Sequence, residues 1–398
     1  MGIIVSGFLV IVASFLTVPV TVFALEIIAG IMAARRNSLT EAGQQDHPPL
    51  AVLVPAHDES AGIRLTIEDI RKQMRPCDRL LVVADNCADD TAAVARAAGA
   101  EVVERNESAK RGKGFALDWG IRHLGQNPRE IVIVIDADCR LANDALGNLA
   151  RACARMDRPV QASYLMRTPA GSQVNYQVAE FAWRVKNWLR PLGLHALNLP
   201  SQLTGTGMAF PWEIIRLADL ASTEIVEDMK LGLDLALAGR PSLFCPSALV
   251  TSEFASSAKG SGTQRKRWEQ GHLTLIFKFA PRLFAAAVVR RDPKLLAITL
   301  DLTVPPLSLL GLLVLSTFGL SLSLAILNHS FAPLVITTAN LLTLAIATIL
   351  AWLKCGRDVV PIRALLLIPS YTFCKLKLYG QLALGRIDSH WTRTERAE

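Results

Sequence analysis

The chain has 398 residues, of which 51% are hydrophobic and 19% charged, with 42 Lys+Arg against 35 Asp+Glu and a formal net charge of +7. An average soluble domain carries about 25% charged residues, and the deficit here is local: residues 3–25, 304–327 and 332–353 contain no Asp, Glu, Lys or Arg, whereas 50–270 read as ordinary globular sequence. This excludes a purely soluble enzyme, a disordered chain and a polytopic transporter, and predicts a soluble domain of about 220 residues on a few membrane segments. The basic balance suits anionic lipid or an anionic substrate. Nucleic acid is not expected as a partner, because no helix-turn-helix, RNA-binding or zinc-finger pattern accompanies the charge. Seven cysteines without a C-x-x-C pair argue against a disulfide framework or structural zinc and fit a reducing cytoplasm.

Residues 3–25 are long enough to cross about 30 Å of hydrocarbon. They lack the basic start of a signal peptide, and Arg35-Arg36 after them place residue 37 in the cytoplasm by the positive-inside rule. A polar linker over 37–49 leads to a strand at 50–54, a helix at about 61–74 capped by Ser60, and a strand at 80–84. A helix capped by Asp89 or Asp90 and ending before Gly99 follows, then a short strand at 101–104, a helix near 114–124 and a strand at 131–135. Such alternation predicts a parallel sheet covered on both faces, with ligands at the carboxyl ends of its strands. Further on, 173–198 read as an amphipathic helix broken at Pro191, and 227–238 as a helix ended by Gly239. Residues 268–289 read as an interfacial helix, 304–327 and 332–353 as spans, and 359–380 as interfacial or re-entrant. The expected segments are an anchor at 1–36, a catalytic domain at 48–265, interfacial helices at 266–294, two spans within 304–353 and a cytoplasmic tail closing 359–398. The expected topology is three spans with the N-terminus outside.

Five groups of residues carry chemistry. Asp136-x-Asp138 at a strand end can hold Mg²⁺ or Mn²⁺ together with phosphate oxygens. Asp85 ends another strand and reads equally as a nucleotide contact or as a turn-forming residue before Asn86. Lys113, in a glycine-flanked basic turn, can meet a diphosphate or simply face solvent. Glu227-Asp228 open a helix, where a carboxylate caps the positive end of the dipole or serves as a general base. In Gln264-x-x-Arg267-Trp268 a guanidinium can bind phosphate and an indole can wall a sugar; a juxtamembrane basic cluster is the alternative.

In order and wording these residues resemble the inverting family 2 glycosyltransferases, the branch holding cellulose, chitin and hyaluronan synthases and ceramide glucosyltransferases, and within it the bacterial exopolysaccharide type. The matching text is VPAHDE (54–59), VVADNCADDT (82–91), KRGKGFAL (110–117), VIDADC (134–139), LTGTGMAF (203–210), VEDMKLGLDLALAG (226–239) and QRKRW (264–268). The wording of 203–210 departs from that of polymer synthases. The resemblance implies an α/β, GT-A-like (Rossmann-like) fold with a mixed, mainly parallel sheet, plus transmembrane and interfacial helices. It further implies that Asp85 contacts uridine with Asp58 lining the pocket, that Asp136 lies on the nucleotide side and Asp138 holds the metal, and that Lys113 is near the nucleotide. It makes Asp228 the catalytic base, with Gln264, Arg267 and Trp268 at the diphosphate and acceptor. The implied enzyme is metal-dependent, a hexosyl- or N-acetylhexosaminyltransferase. It takes a UDP-sugar and a lipid or lipid-linked glycan acceptor at the cytoplasmic face of the cell inner membrane. A processive polysaccharide synthase, a sugar nucleotidyltransferase and a catalytically silent nucleotide-sugar sensor are the rival readings.

Overall fold

The computed structural model describes residues 2–36, 46–169, 174–255, 258–328, 330–365 and 379–380. In chain order the elements are α1 (Gly2–Arg36), β1 (Leu50–Ala56), α2 (Ile63–Arg71), β2 (Arg79–Asp85), α3 (Thr91–Ala97), β3 (Glu101–Arg105), α4 (Lys113–Leu124), β4 (Ile131–Val134), β5 (Arg140–Leu141), α5 (Ala145–Met156) and β6 (Val160–Arg167). Then come α6 (Val174–Arg184), a π-helical turn (Val185–Leu189), α7 (Arg190–Ala196), β7 (Met208–Pro211), α8 (Trp212–Ile215), α9 (Glu227–Leu237), β8 (Leu243–Glu253), α10 (Ala258–Arg290), α11 (Pro293–Thr303), α12 (Leu307–Asn328), α13 (Ala332–Cys355) and α14 (Ile362–Leu365). They gather into two compact units, one holding the sheet within residues 46–167 and 199–271, the other helical.

In the sheet unit eight strands run in the order β3-β2-β1-β4-β7-β6-β8-β5. The first four are parallel, β7 runs antiparallel to β4 and β6, and β6 pairs parallel with β8. Strands covered on both faces need unbroken apolar runs. β1 and β4 have them, and every residue of β4 is buried. Leu53, Leu81, Val83, Val132 and Phe210 form one core with Leu117 and Ile121 of α4 and Leu231 and Leu235 of α9. In α2 the buried positions Ile63, Thr66, Ile67 and Ile70 make one helical stripe.

The helix expected at 61–74 is shorter, and Ser60 does not cap it. Gly62 occupies the cap position, and the Ser60 backbone N–H donates instead to Asp89 Oδ2 at 3.1 Å, tying the loop after β1 to the loop after β2.

In the helical unit α1, the π-turn, α12 and α13 share a core of Val20, Phe23, Ile27, Leu189, Val314 and Ala351. A buried ion cluster lies within it: Arg190 meets Glu26 and Asp301, each at 2.6 Å. The break expected at Pro191 is a π-turn placed just ahead of it, with Pro191 in the first turn of α7. Proline lacks an N–H and its ring crowds the carbonyl four residues earlier; that carbonyl belongs to Asn187, and the wider π-turn makes room for the ring.

Among the described residues, four helices are long and apolar enough to cross a membrane, over Ile4–Arg35, Gly262–Arg290, Leu307–Leu327 and Ala332–Cys355. The second contains the stretch read as interfacial, and it is continuous with the residues of the Gln264–Trp268 motif. Most of the expected segment at 359–380, from 366 to 378, and the tail from 381 lie outside the described residues.

Candidate active site

Three strands deliver acidic residues to one edge of the sheet. β2 ends on Asp85, β1 leads into His57-Asp58, and β4 leads into Asp136. Since β1 lies between β2 and β4, Asp85 and Asp136 sit two strands apart, roughly 10 Å at the usual strand spacing. β7 starts at this edge because it is antiparallel: Met208 pairs with Val134, so the loop Thr204–Gly207 falls beside Asp136.

That loop organises the centre. The Asp136 backbone N–H donates to Thr206 Oγ1 at 2.9 Å, and Gly207 N–H donates to the Val134 carbonyl at 2.9 Å. Gln161, buried in β6, spans the loop: Nε2 donates to the Thr206 carbonyl and Oε1 accepts from Thr204 N–H, both at 2.8 Å. Gly205 adopts a φ of +94°, a conformation side chains disfavour. Its carbonyl accepts from Lys113 Nζ at 2.6 Å, and Lys113 also pairs with Asp136. A Cβ at Gly205 would lie 3.3 Å from Asp228 Oδ2 and 3.8 Å from Lys113 Nζ, which fixes how closely Asp228 in the first turn of α9 approaches the loop.

The electrostatics are those of an anionic cluster held short of neutrality. Burial pushes the Asp136 carboxyl up, Lys113 opposes this, and the charges of Asp138 and Asp228 push it further. Burial and the neighbouring Asp228 carry Glu227 up to about 7 against the pull of Lys113. Burial would lower the Lys113 ammonium, but Asp136, Glu227 and Asp228 together raise it. The same carboxylates, Glu227 and Asp228, act on the charge of the Arg267 guanidinium. Among the described residues, Arg267 Nε and Gln264 Oε1 are buried and make no hydrogen bond, so each keeps a donor or acceptor for a bound polar group.

Four carboxylates, Asp136, Asp138, Glu227 and Asp228, thus face two cations. All-oxygen donors and uncompensated negative charge fit a hard divalent ion, and Mg²⁺ is commonly held by one or two carboxylates with substrate phosphates completing the shell. Asp136 and Asp138, two positions apart in the loop after β4, are two carboxylates of this group that could serve as ligands. A second group, Asp58, Cys87 and Asp89, has donor atoms within 4.8 Å of one another. It includes a thiol that burial holds protonated more strongly than usual, which suits a hard cation poorly.

The structure therefore brings Lys113, Asp136, Glu227, Asp228 and Arg267 into one field, with Asp138 next to Asp136 and Gln264 and Trp268 on the same helix as Arg267. Asp58 and Asp85 form a neighbouring cluster. His57 Nδ1 donates to the Asp85 carbonyl at 2.7 Å, and Asp58 Oδ1 accepts from Ala88 N–H at 2.6 Å. Sequence reasoning missed Arg105, whose Nη1 donates to Asp85 Oδ1 at 2.6 Å. It also missed Gln161 and Thr206. The signal for Arg105 was its place at the end of β3, paired in register with Asp85; for Gln161 there was none, since it acts across the sheet.

The family model described as glycosyltransferase like family 2 matches residues 47–271, more than half of the chain. The chain belongs to this family. As a family 2 member it is 25% identical over 255 residues to a probable glycosyltransferase, YdaM, of Bacillus subtilis, covering 60% of this chain and 58% of that protein. It is 24% identical over 269 residues to the probable glucomannan 4-beta-mannosyltransferase 15 of Arabidopsis thaliana, covering 60% of this chain and 47% of the other. The family 2 chain thus spans about half the length of these curated relatives. Among solved structures, the mannosyltransferase PcManGT from Pyrobaculum calidifontis, in complex with GDP-Man and Mn²⁺, superposes with a TM-score of 0.52 at 20% identity, over 87% of this chain and 98% of that one. The fold is GT-A, with a mixed, mostly parallel sheet.

Proposed function

We propose that the protein is an inverting, metal-dependent glycosyltransferase that moves one sugar from a UDP-sugar to a lipid or lipid-linked glycan at the cytoplasmic face of a membrane. The observation that carries this reading is the meeting of Asp228, Lys113 and Asp136 around the Gly205 loop, a base and a cation beside a metal-binding carboxylate. The unpartnered atoms of Gln264 and Arg267 add to it. Glycosyltransferase names among the relatives, and the GDP-Man and Mn²⁺ of the solved neighbour, support a nucleotide-sugar donor with a divalent ion.

In the reaction the acceptor hydroxyl attacks the anomeric carbon from the side opposite the diphosphate. Asp228 takes its proton as the new C–O bond forms. The bond from the anomeric carbon to the diphosphate oxygen breaks, and the leaving charge falls to Lys113 and Arg267. A divalent ion, if held by Asp136 and Asp138, would supply Lewis-acid charge at the diphosphate. Asp85 and Asp58 receive the nucleoside, and Trp268 provides a flat wall on the acceptor side. The configuration at the anomeric carbon inverts, and no covalent nucleophile is needed.

The acceptor follows from α10. Gln264, Arg267 and Trp268 lie in the first third of a helix whose later part mixes apolar and basic residues up to Arg290, as suits a site served by lipid-borne acceptors. Arg35-Arg36 after the first span and Lys354 and Arg357 after the last favour a multi-pass protein with its sheet unit in the cytoplasm, and we assign it to the cell inner membrane in polysaccharide or glycolipid synthesis. The probable glucomannan 4-beta-mannosyltransferases among the relatives favour a second reading, a processive polymer synthase. Purified full-length protein in detergent, given a panel of labelled UDP-sugars and membrane lipid extract, distinguishes the two. The expected result is label in the organic phase as a discrete species. A ladder of long water-soluble polymer would establish the processive reading instead, and absence of transfer from any nucleotide-sugar would overturn both.

A further inference from the structure

The Asp85 carboxylate is shared before any ligand arrives. Its Oδ1 accepts two hydrogen bonds, from Arg105 Nη1 at 2.6 Å and from Asn86 Nδ2 at 2.9 Å. Two donors use both lone pairs of that oxygen. No bond to Oδ2 is formed among the described residues, and the Asp85 side chain keeps 9% of its surface open.

Arg105 is itself held immobile. Its side chain is 4% exposed, Nη2 reaches Glu107 Oε2 at 2.8 Å, and the guanidinium carbon lies 5.5 Å from the Phe115 ring centre. Glu107 is fixed in turn, its backbone N–H donating to Asn86 Oδ1 at 2.8 Å. Asp85, Asn86, Arg105 and Glu107 thus form a closed ring of polar contacts at the carboxyl ends of β2 and β3. A planar guanidinium clamped on two sides cannot swing away to release Oδ1 without leaving buried charge unpaired.

The consequence is a carboxylate that offers one oxygen to a base. Uracil presents a single imide N–H between two carbonyl acceptors and is satisfied by one acceptor oxygen. Guanine presents an imide N–H next to an amino group, and a carboxylate meets both only with its two oxygens side by side. With Oδ1 filled, the guanine amino group would face the donors of Arg105 and Asn86, and donors do not pair with donors. We infer that Arg105 is the positioning residue that makes the donor site select a uridine over a guanosine diphosphate, by occupying one oxygen of Asp85. This inference rests on the proposed role of Asp85 in holding the nucleoside.

Calorimetric titration of the full chain in detergent with Mn²⁺, using UDP and GDP in parallel, tests it. The wild type is expected to bind UDP tighter than GDP by roughly tenfold or more, and in Arg105→Gln that ratio is expected to shrink by roughly 10- to 100-fold, the usual worth of one charge-assisted hydrogen bond. Arg105→Lys, which keeps a charged donor for Oδ1, is expected to retain the preference. A purely structural role would weaken both nucleotides alike and leave the ratio unmoved. Equal binding of UDP and GDP by the wild type, or an unchanged ratio in Arg105→Gln, would overturn the inference while leaving the donor site intact. Should Arg105→Gln not fold, Arg105→Met, which keeps much of the side chain's bulk without a donor, takes its place: a shrunken ratio is expected, and an unchanged ratio would overturn the inference. Binding of neither nucleotide would overturn this inference together with the reading of the donor site.

Discussion

Gly205→Ala puts one methyl group into the centre of the site while leaving every charged residue in place. Two costs follow from the structure. At a φ of +94° an alanine is strained, which is worth about 1–3 kcal/mol for a side chain in a sparsely populated backbone region. The new Cβ would also stand 3.3 Å from Asp228 Oδ2, closer than an ordinary contact, so the carboxylate has to yield by a few tenths of an ångström. A misplacement of about 1 Å costs about 10²-fold in rate, so the smaller shift is expected to lower kcat roughly tenfold. The strain is expected to lower Tm by about 2–10 °C for a domain of this size. UDP affinity is expected to change little, because Lys113 Nζ stays at 3.8 Å, an ordinary contact distance. Turnover with the preferred UDP-sugar, a thermal melt and a UDP titration measure the three quantities separately. A variant with wild-type kcat would refute the argument, since it would mean that Asp228 does not act from the position beside this loop.

Asp228→Asn is expected to retain UDP binding while losing roughly 10²–10⁴-fold in turnover, the range for removal of a general base; near-normal kcat would assign the proton to another group. EDTA is expected to abolish transfer and Mn²⁺ or Mg²⁺ to restore it, and full activity of a metal-free preparation would remove the ion from the mechanism. In metal-free protein the Glu227 carboxyl, raised from 4.5 to about 7, binds its proton more tightly folded than unfolded. Stability is therefore expected to fall as pH rises from about 4.5 to about 7 and then level off. Melts across that range should show this slope flattened in Glu227→Gln, and an identical slope in the variant would mean that another group carries it.

Much of the sheet was legible because its strands declare themselves locally. LAVLV, LLVVA and IVIVI are short apolar runs bounded by polar residues, and a strand buried on both faces can hardly look otherwise. Capping was less legible: Ser60 has the chemistry of a cap, but the helix begins at Ile63 and Gly62 takes the cap position, while the Ser60 backbone N–H donates to Asp89 of another loop. The irregularity near Pro191 was visible while its form was not, because whether a helix bends, breaks or widens depends on what it packs against.

The sequence by itself determined the class of chemistry. Carboxylates at three strand ends, a basic glycine turn, a carboxylate opening a helix and a guanidinium beside an indole are local patterns, and residue type and spacing suffice to read them. Tertiary structure decided which of them act together. Lys113 pairs with Asp136, Gln161 holds the 204–206 loop, and Arg105 occupies one oxygen of Asp85. Each of these contacts depends on strand order and register, which bring residues 20 to 45 or more positions apart within hydrogen-bonding distance. Arg105 shows the reason most plainly: a parallel register of Asp85 against Arg105 converts two unremarkable strand ends into a buried ion pair, and register is set by how whole strands bury their apolar faces rather than by either residue alone.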